Sequence, residues 1–240
     1  MAANHEILAL FDLDGTLLRV GDEVHHAAFE HATRAALGAT IAIGSFDLAG
    51  AVDRRLYHAA AEQAGVSRAD ALARYDSWVA VVGRYYTLRV SDGDRADWVL
   101  PGVGEVLRKL RATGIAMAIA TGSVREVAEA KLVSAGLKDY FPSGAYGDEV
   151  SSRADLIRRA LQTATAHHSR KFLAANAVVI GDTPADIAAA RETGARILAV
   201  ATGRFSAEEL DEHGPDATFA DLTNADAVIK VIREGNVLGA

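Results

Sequence analysis

The chain of 240 residues contains no cysteine. That excludes disulfides, thiol catalysis, iron–sulfur clusters and cysteine zinc sites, and it suits a reducing compartment. An excess of base is missing too, since 25 Lys and Arg stand against 32 Asp and Glu for a formal charge of −7. Such a chain lacks the basic footprint of a nucleic-acid binder. The N-terminal stretch MAANHEILALFDLDG has no basic segment and only a very short apolar run before its acids. Neither a signal peptide nor a membrane span is expected there, and the protein reads as cytoplasmic. No internal repeat occurs, and no low-complexity tract beyond a general richness in alanine. Gly102-Val103-Gly104 lacks the third glycine of a dinucleotide fingerprint and there is no GKT or GKS loop, so NAD and P-loop readings fail.

What is present is a chain half apolar and about a quarter charged. It can bury a sizeable core, as one domain with an insertion or as two domains. Four short runs rich in Ile, Val, Leu and Ala read as buried parallel strands: Ile7 to Phe11, Ile115 to Ala120, Ala177 to Ile180 and Arg196 to Val200. Helical patterns lie between them. Val103 to Ala112 carries Val106, Leu107 and Leu110 on one face, and Gly114, Gly136 and Gly194 stop the helices Val103 to Ala112, Val124 to Ala135 and Pro184 to Thr193. The alternation predicts an α/β protein with a Rossmann-like, doubly wound parallel sheet.

One interval breaks the rhythm. From about Val20 to Val99 there is no buried strand, only Ala-rich helical stretches at Val24 to Leu37, Val52 to Ala64 and Ala69 to Arg89, with interruptions at Gly38 to Gly44 and Ser91 to Asp97. Residues 20–96 therefore read as an inserted all-helical cap domain, and residues 1–19 and 97–240 as the α/β core.

The segment Phe11-Asp12-Leu13-Asp14-Gly15-Thr16 follows the first strand directly. Side chains alternate along extended chain, so Asp12 and Asp14 leave the strand end on the same side and share one site. Crowded carboxylates raise one pKa or recruit a cation, and either outcome suits a nucleophile beside an acid/base. Gly15 permits the sharp turn that brings backbone N–H groups near an anion. After the second strand come Thr121-Gly122-Ser123 and a helix; this is either a phosphate site or an ordinary helix cap by Thr121 or Ser123. The strand Ala177 to Ile180 enters Gly181-Asp182-Thr183-Pro184-Ala185-Asp186. Capping explains either acid alone, but less well why this loop and the Asp12 loop open at one sheet edge, where α/β folds place ligands. Acids gathered there with no His or Cys at ligand spacing select a hard cation such as Mg²⁺.

With these segments in this order, the chain resembles the phosphatases of the haloacid dehalogenase-like superfamily: DLDGT at 12–16, ATGS at 120–123 and GDTPAD at 181–186. The flanks LPGVGEVLRKLRATGIAMAIATGS and AARETGARILAVATG are similar as well, and the helical insert lies where the phosphoglycolate phosphatase-like branch carries its cap. The resemblance implies that Asp12 is the nucleophile that becomes an aspartyl phosphate, and that Asp14 protonates the leaving oxygen and then activates water. It implies Mg²⁺ held by the Asp12 carboxylate, the Asp14 main-chain carbonyl and Asp182, with Asp186 nearby, and phosphoryl oxygens bound by Thr121 and Gly122. The third motif departs from the family's Lys-Pro: this chain has Val150-Ser151-Ser152-Arg153-Ala154-Asp155. Arg153 is the candidate for the missing phosphate-binding cation, with an ordinary first-turn residue as the alternative, and the swap is not neutral because arginine binds through a planar fork.

The expected activity is Mg²⁺-dependent hydrolysis of a small phosphorylated metabolite, phosphoglycolate-like or a sugar phosphate, by a monomer or homodimer with no nucleic-acid or membrane partner. A phosphomutase, a haloacid dehalogenase or a non-catalytic binding protein on the same scaffold are the alternatives. Asp14 argues against the dehalogenase, and retention of Asp12, Asp14 and Asp182 argues against a retired site. Arg54 and Arg55 read first as a solvated helix face and second as a reader of another anionic group on the substrate. Lys131 and Lys138 read as solvated, and Lys171 as a weaker alternative to Arg153. The pairs His25-His26 and His167-His168 do not suit a metal, because sequence neighbours diverge on a helix. Trp78, Trp98, Tyr85 and Tyr86 read as packing or as a cap–core interface.

Overall fold

The computed structural model describes residues 7–91 and 94–234. Residues 1–6 and 235–240 lie outside the described residues, as do Asp92 and Gly93 of the interruption expected at Ser91 to Asp97. The core is one parallel sheet of six strands in the order β3-β2-β1-β4-β5-β6. The four expected strands are its inner four: β1 (Leu8–Phe11), β2 (Ala116–Ala120), β4 (Ala177–Gly181) and β5 (Arg196–Val200). The edges, β3 (Gly144–Ala145) and β6 (Ala217–Phe219), are too short to carry a periodic signal.

Each inner strand is buried on both faces, and the period of two sorts its side chains between two layers. Ala9, Phe11, Met117, Ile119, Val178 and Ile180 pack under α4 (Val103–Ala112), α5 (Arg125–Ser134) and α9 (Ala225–Glu234). Leu8, Leu10, Ala118, Val179 and Ile197 pack under α6 (Arg153–His168), α7 (Pro184–Thr193) and the short α8 (Ala207–Asp211). This is the doubly wound architecture that the strand and helix alternation predicts.

Local chemistry sets where the helices begin. In α7 the Thr183 side chain accepts from the Asp186 N–H while the Asp186 carboxylate accepts from the Thr183 N–H, with Pro184 in the first turn and Gly194 ending the helix at φ 75°. The α6 helix is capped by Ser152, whose hydroxyl accepts from the Asp155 N–H. These two caps bring Asp186 and Arg153 to the carboxyl edge of the sheet.

Between β1 and α4 lie α1 (Glu23–Leu37), α2 (Asp53–Gln63) and α3 (Arg68–Thr87). They enclose a separate apolar cluster around Phe29, Tyr57, Trp78 and Tyr86, to which Val124 and Val127 at the start of α5 contribute. Trp78 is fully buried, edge-on to Phe29 at 5.3 Å, and its indole N–H donates to Thr33 Oγ1 at 3.1 Å. Burying such a ring contributes about 1.5–3 kcal/mol, so the three helices have a core of their own. Trp98 is half-buried, with Arg19 and Arg95 over its ring.

The central strand β1 is flanked by β2 on one side and β4 on the other. The chain order reverses there, and the loops after β1 and β4 part at their carboxyl ends, where open α/β sheets bind ligands.

Candidate active site

Asp12 is the first residue beyond β1, and its N–H extends the ladder by donating to the Ile180 carbonyl at 2.9 Å. Asp182 occupies the equivalent place after β4. The two loops interlock: Gly15 turns back with φ 90°, and a Cβ at Gly15 or at Gly203 would run into the Asp182 carboxylate. Glycine is required at both positions because the carboxylate is wedged between two stretches of backbone. Thr16 Oγ1 donates to Asp182 Oδ1 at 3.3 Å, and Thr202 Oγ1 donates to the Gly15 carbonyl at 2.5 Å.

Carboxylate oxygens of Asp12, Asp182 and Asp186 lie within 4.8 Å of one another, all three residues buried. Burial pushes the Asp12 carboxyl well above its ordinary value; Arg153 opposes the rise, and Asp186 and Asp14 add to it. Asp182 is pushed up in the same way, by burial and then by Asp12 and Asp186. Gathering these acids is therefore unfavourable in the protein alone, and an all-oxygen donor set of this kind fits a hard divalent cation such as Mg²⁺.

Among the described residues, the guanidinium in contact with the cluster is that of Arg153. Its Nη2 lies 3.1 Å from Asp12 Oδ2, and its Nε donates to Asp186 Oδ1 at 2.9 Å while Nη2 contacts the same oxygen. Burial opposes its charge, but Asp12 and Asp186 hold the guanidinium ionised. The other Asp186 oxygen accepts from the Thr183 N–H at 3.1 Å and the Thr183 hydroxyl at 2.6 Å. Both Asp186 oxygens are thus engaged, so in this arrangement Asp186 orients Arg153 and stands behind Asp12 and Asp182.

Thr121 and Gly122 follow β2 at the same edge. Thr121 is buried and its Oγ1 accepts from the Ser123 N–H at 3.3 Å, so it shapes its own turn. The first N–H groups of α5 are met from elsewhere, Val124 N–H by Asp53 Oδ2 at 2.8 Å and Arg125 N–H by Asp148 Oδ1 at 2.7 Å. A Cβ at Gly122 would strike the Ala51 carbonyl, and one at Gly50 would strike Ala185. The helical insertion therefore sits down on glycine-lined core loops, with the Asp53 N–H donating to the Gly122 carbonyl at 2.8 Å and the Arg54 N–H to the Gly147 carbonyl at 3.2 Å.

Asp14 faces another direction. Its carboxylate is not part of the Asp12–Asp182–Asp186 cluster; Lys131 Nζ donates to both of its oxygens at 2.8 Å. The expectation that Lys131 is solvated is wrong: its side chain is 2% exposed. On α5 it follows the buried Val127 and Ala128 by four and three residues and precedes buried Leu132. A lysine within the apolar face of a helix was the legible signal, and the partner that explains it is 117 residues away. Around it are His25, with Nδ1 at 3.4 Å, and Asp22, with Oδ2 at 3.9 Å. Although burial alone would raise it, the Asp22 carboxyl is held below its ordinary value by Lys131, the Tyr86 hydroxyl and Arg95.

One cavity of about 420 Å³ is lined both by Asp12, Asp182 and Arg153 and by Asp14 and Lys131. Asp12, Thr121, Arg153 and Asp182 line its floor, His25, His26 and Lys131 one wall, and Ile43, Phe46 and Leu48 of the α1–α2 loop its roof. Burial, followed by the neighbouring His25 and Lys131, lowers the His26 pKa and favours a neutral ring. Arg54 and Arg55 do not line it: Arg54 Nη1 donates to the Asp148 carbonyl at 3.4 Å and lies over the Tyr75 ring, while Arg55 is exposed. Lys138 pairs with Glu129 at 3.1 Å, and Lys171 is exposed away from the cavity. No described helix is long and apolar enough to cross a membrane.

Comparison with known proteins bears on the family and the fold. The family model described as haloacid dehalogenase-like hydrolase matches residues 8–194. Protein CbbY of Rhodobacter capsulatus is 31% identical over 201 residues, covering 79% of this chain and 82% of CbbY. Among solved structures, a beta-phosphoglucomutase from Clostridium difficile superposes with TM-score 0.68 at 16% identity, covering 95% of this chain and 97% of the other. A CbbY from Rhodobacter sphaeroides, solved in complex with phosphate, superposes with TM-score 0.59 at 21% identity, covering 90% and 94%. At these identities the two structures speak for the fold.

Proposed function

The chain belongs to the haloacid dehalogenase-like hydrolases, and on that premise we propose that it is a Mg²⁺-dependent phosphatase that hydrolyses a small phosphorylated metabolite through an aspartyl phosphate. The observation that carries this reading is the buried Asp12 at the end of the central strand, beside Arg153 and Asp182 in the lining of one cavity. Asp12 Oδ attacks phosphorus, and the phosphoryl group passes from the ester oxygen to the carboxylate. Asp14 gives its proton to the departing oxygen; then, as carboxylate, it takes a proton from the water that cleaves the aspartyl phosphate and regenerates Asp12. Arg153, Thr121 and the Gly122 N–H hold the phosphoryl oxygens, the guanidinium in a planar fork that also keeps Asp12 oriented.

Asp12, Asp182 and the Asp14 main-chain carbonyl would hold Mg²⁺, with Asp186 behind them. When bound, the ion offsets the repulsion between an anionic nucleophile and an anionic ester. The insertion at 20–96 acts as a cap that excludes bulk water, and a cavity of about 420 Å³ suits a small phosphoglycolate-like or sugar phosphate substrate rather than a macromolecule. Such a substrate belongs to the cytoplasm.

The test is inorganic phosphate release with Mg²⁺ across a panel of phosphorylated metabolites, for wild type and Asp12→Asn. Activity that survives both the substitution and a chelator would sink the mechanism. A phosphomutase would instead return an isomeric ester without net phosphate release.

A further inference from the structure

We propose that Lys131 is the positioning residue for Asp14, clamped by His25 and Asp53 so that Asp14 is aligned when the helical insertion is docked on the core. This rests on the phosphatase reading above. An ammonium has three donors, and here each has an acceptor: Asp14 Oδ1 and Oδ2 at 2.8 Å and His25 Nδ1 at 3.4 Å. That acceptor role assigns the ring proton to Nε2, which donates to Asp53 Oδ2 at 3.1 Å. Asp53 in turn grips the loop after β2, through its own N–H on the Gly122 carbonyl and its carboxylate on the Val124 N–H, both at 2.8 Å. A continuous path of polar contacts therefore runs from the phosphate-side loop through α2, α1 and α5 to the acid.

Packing alone does not account for this lysine. Its neighbours Val127, Ala128 and Leu132 are apolar, and burying an ammonium is costly unless it is fully paired, whereas a leucine or methionine would fill the space without that cost. Nor does it present a receptor for a second anionic group on the substrate. Asp14 and Asp22 lie against it and Asp53 stands behind His25, while Arg95 is paired with Asp22 at 3.2 Å and Arg204, also in the cavity lining, with Asp47 at 3.3 Å, so this end has no positive excess to offer. What remains is orientation. Two equal contacts from Lys131, with a longer one from Ser123 Oγ to Oδ2 at 3.4 Å, fix the plane of the Asp14 carboxylate, which is 30% exposed and lines the cavity.

The experiment measures kcat/KM for the best-hydrolysed alkyl phosphate of the panel and for acetyl phosphate, whose acetate leaves without needing a proton. Lys131→Met should reduce kcat/KM for the alkyl ester by about tenfold or more, with KM little changed, and that for acetyl phosphate by no more than about threefold, because only the first depends on proton donation by Asp14. His25→Gln, which leaves the ammonium in place, should show the same split more weakly, and the double variant should be no worse than Lys131→Met alone. Should Lys131→Met fail to fold, the His25→Gln split decides. Equal losses on both esters would mean only a structural role, and an unchanged or increased alkyl phosphate rate would mean that the ammonium hinders the acid; either overturns the proposal. If wild type hydrolyses no ester at all, the phosphatase reading fails first.

Discussion

The two ends of the cavity are built from the same materials in opposite ways. The floor gathers Asp12 and Asp182 from loops of the sheet and Asp186 from the first turn of α7 and gives them one guanidinium, and burial, with the neighbouring acids, pushes Asp12 and Asp182 up in pKa. The wall holds Asp14, Asp22 and Asp53 with Lys131, Arg95, His25 and Tyr86 among them, and there Asp22 is pulled down. One end is short of positive charge and suits a cation from solution; the other is satisfied within the chain. A site that must bind an ion and an anionic ester keeps its electrostatic deficit where they bind, and its internally neutralised ion pairs where geometry must be fixed.

The largest expected effect breaks the floor. Asp12→Asn keeps the shape but removes the nucleophile, and phosphate release should fall by roughly 10⁴-fold or more, as for loss of a nucleophile elsewhere. Circular dichroism should be unchanged, since an amide removes a buried charge that the fold does not favour. Residual activity within about tenfold of wild type would reject Asp12 as nucleophile. Next is Arg153→Ala, which leaves Asp12 and Asp186 without their cation. Breaking a buried pair by removing one partner costs about 3–5 kcal/mol of stability, read from denaturant unfolding with chelator present. It should also lower kcat/KM by at least about tenfold, roughly 1.4 kcal/mol of transition-state binding. Arg153→Lys should recover part of the stability but little of the rate. A silent Arg153→Ala would reject Arg153 as the phosphate-binding cation.

Opposite pKa shifts give the two ends opposite pH dependence. A carboxyl that ionises later in the folded chain holds extra protons there, so the stability linked to Asp182 is fully present below its ordinary value of 3.8 and is lost as pH rises through the raised value. In metal-free protein, the melting temperature of wild type relative to Asp182→Asn should therefore fall from about pH 4 toward about pH 8, and Mg²⁺ should restore it most at the alkaline end. A difference that stays flat with pH would remove the floor's charge deficit from the account.

The acids of the motifs were legible in the sequence, and the reason is contiguity. Asp12, Asp14, Thr121, Asp182 and Asp186 each follow an apolar run that could only be an inner strand, so strand, turn and acid appear together within a few residues. The helix caps at Ser152 and Thr183 are equally local. The wall was legible only as a lysine on the apolar face of a helix. Lys131 lies on a helix whose turn chemistry is unremarkable, and nothing nearby in sequence says that residues 14, 22, 25 and 53 close around it. A buried charge is specified by partners distant in the chain, and periodicity reports only that a position is buried. The same limit hid β3 and β6, which are strands only because a neighbour is there to pair with.

The smallest expected effect probes the wall. The Tyr86 hydroxyl donates to Asp22 Oδ2 at 2.6 Å; after Lys131 this bond helps to depress the Asp22 pKa, and after burial it helps to raise that of Tyr86. In Tyr86→Phe the ring still packs in the helical cluster, and Asp22 keeps Arg95, Lys131 and the N–H groups of Val24 and His25. No buried acceptor is stranded, so the loss is the net worth of one hydrogen bond, about 1 kcal/mol. Asp22 is depressed, so the stability it contributes is present above 3.8 and lost as pH falls through the lower folded value. The destabilisation by Tyr86→Phe should accordingly be constant near neutral pH and shrink in acid, the reverse of the Asp182 trend. Urea unfolding at several pH values measures it. If the effect grew in acid instead, Asp22 would not be the ionised anchor of the wall, and the separation of a deficient floor from an internally paired wall would fail at its second end.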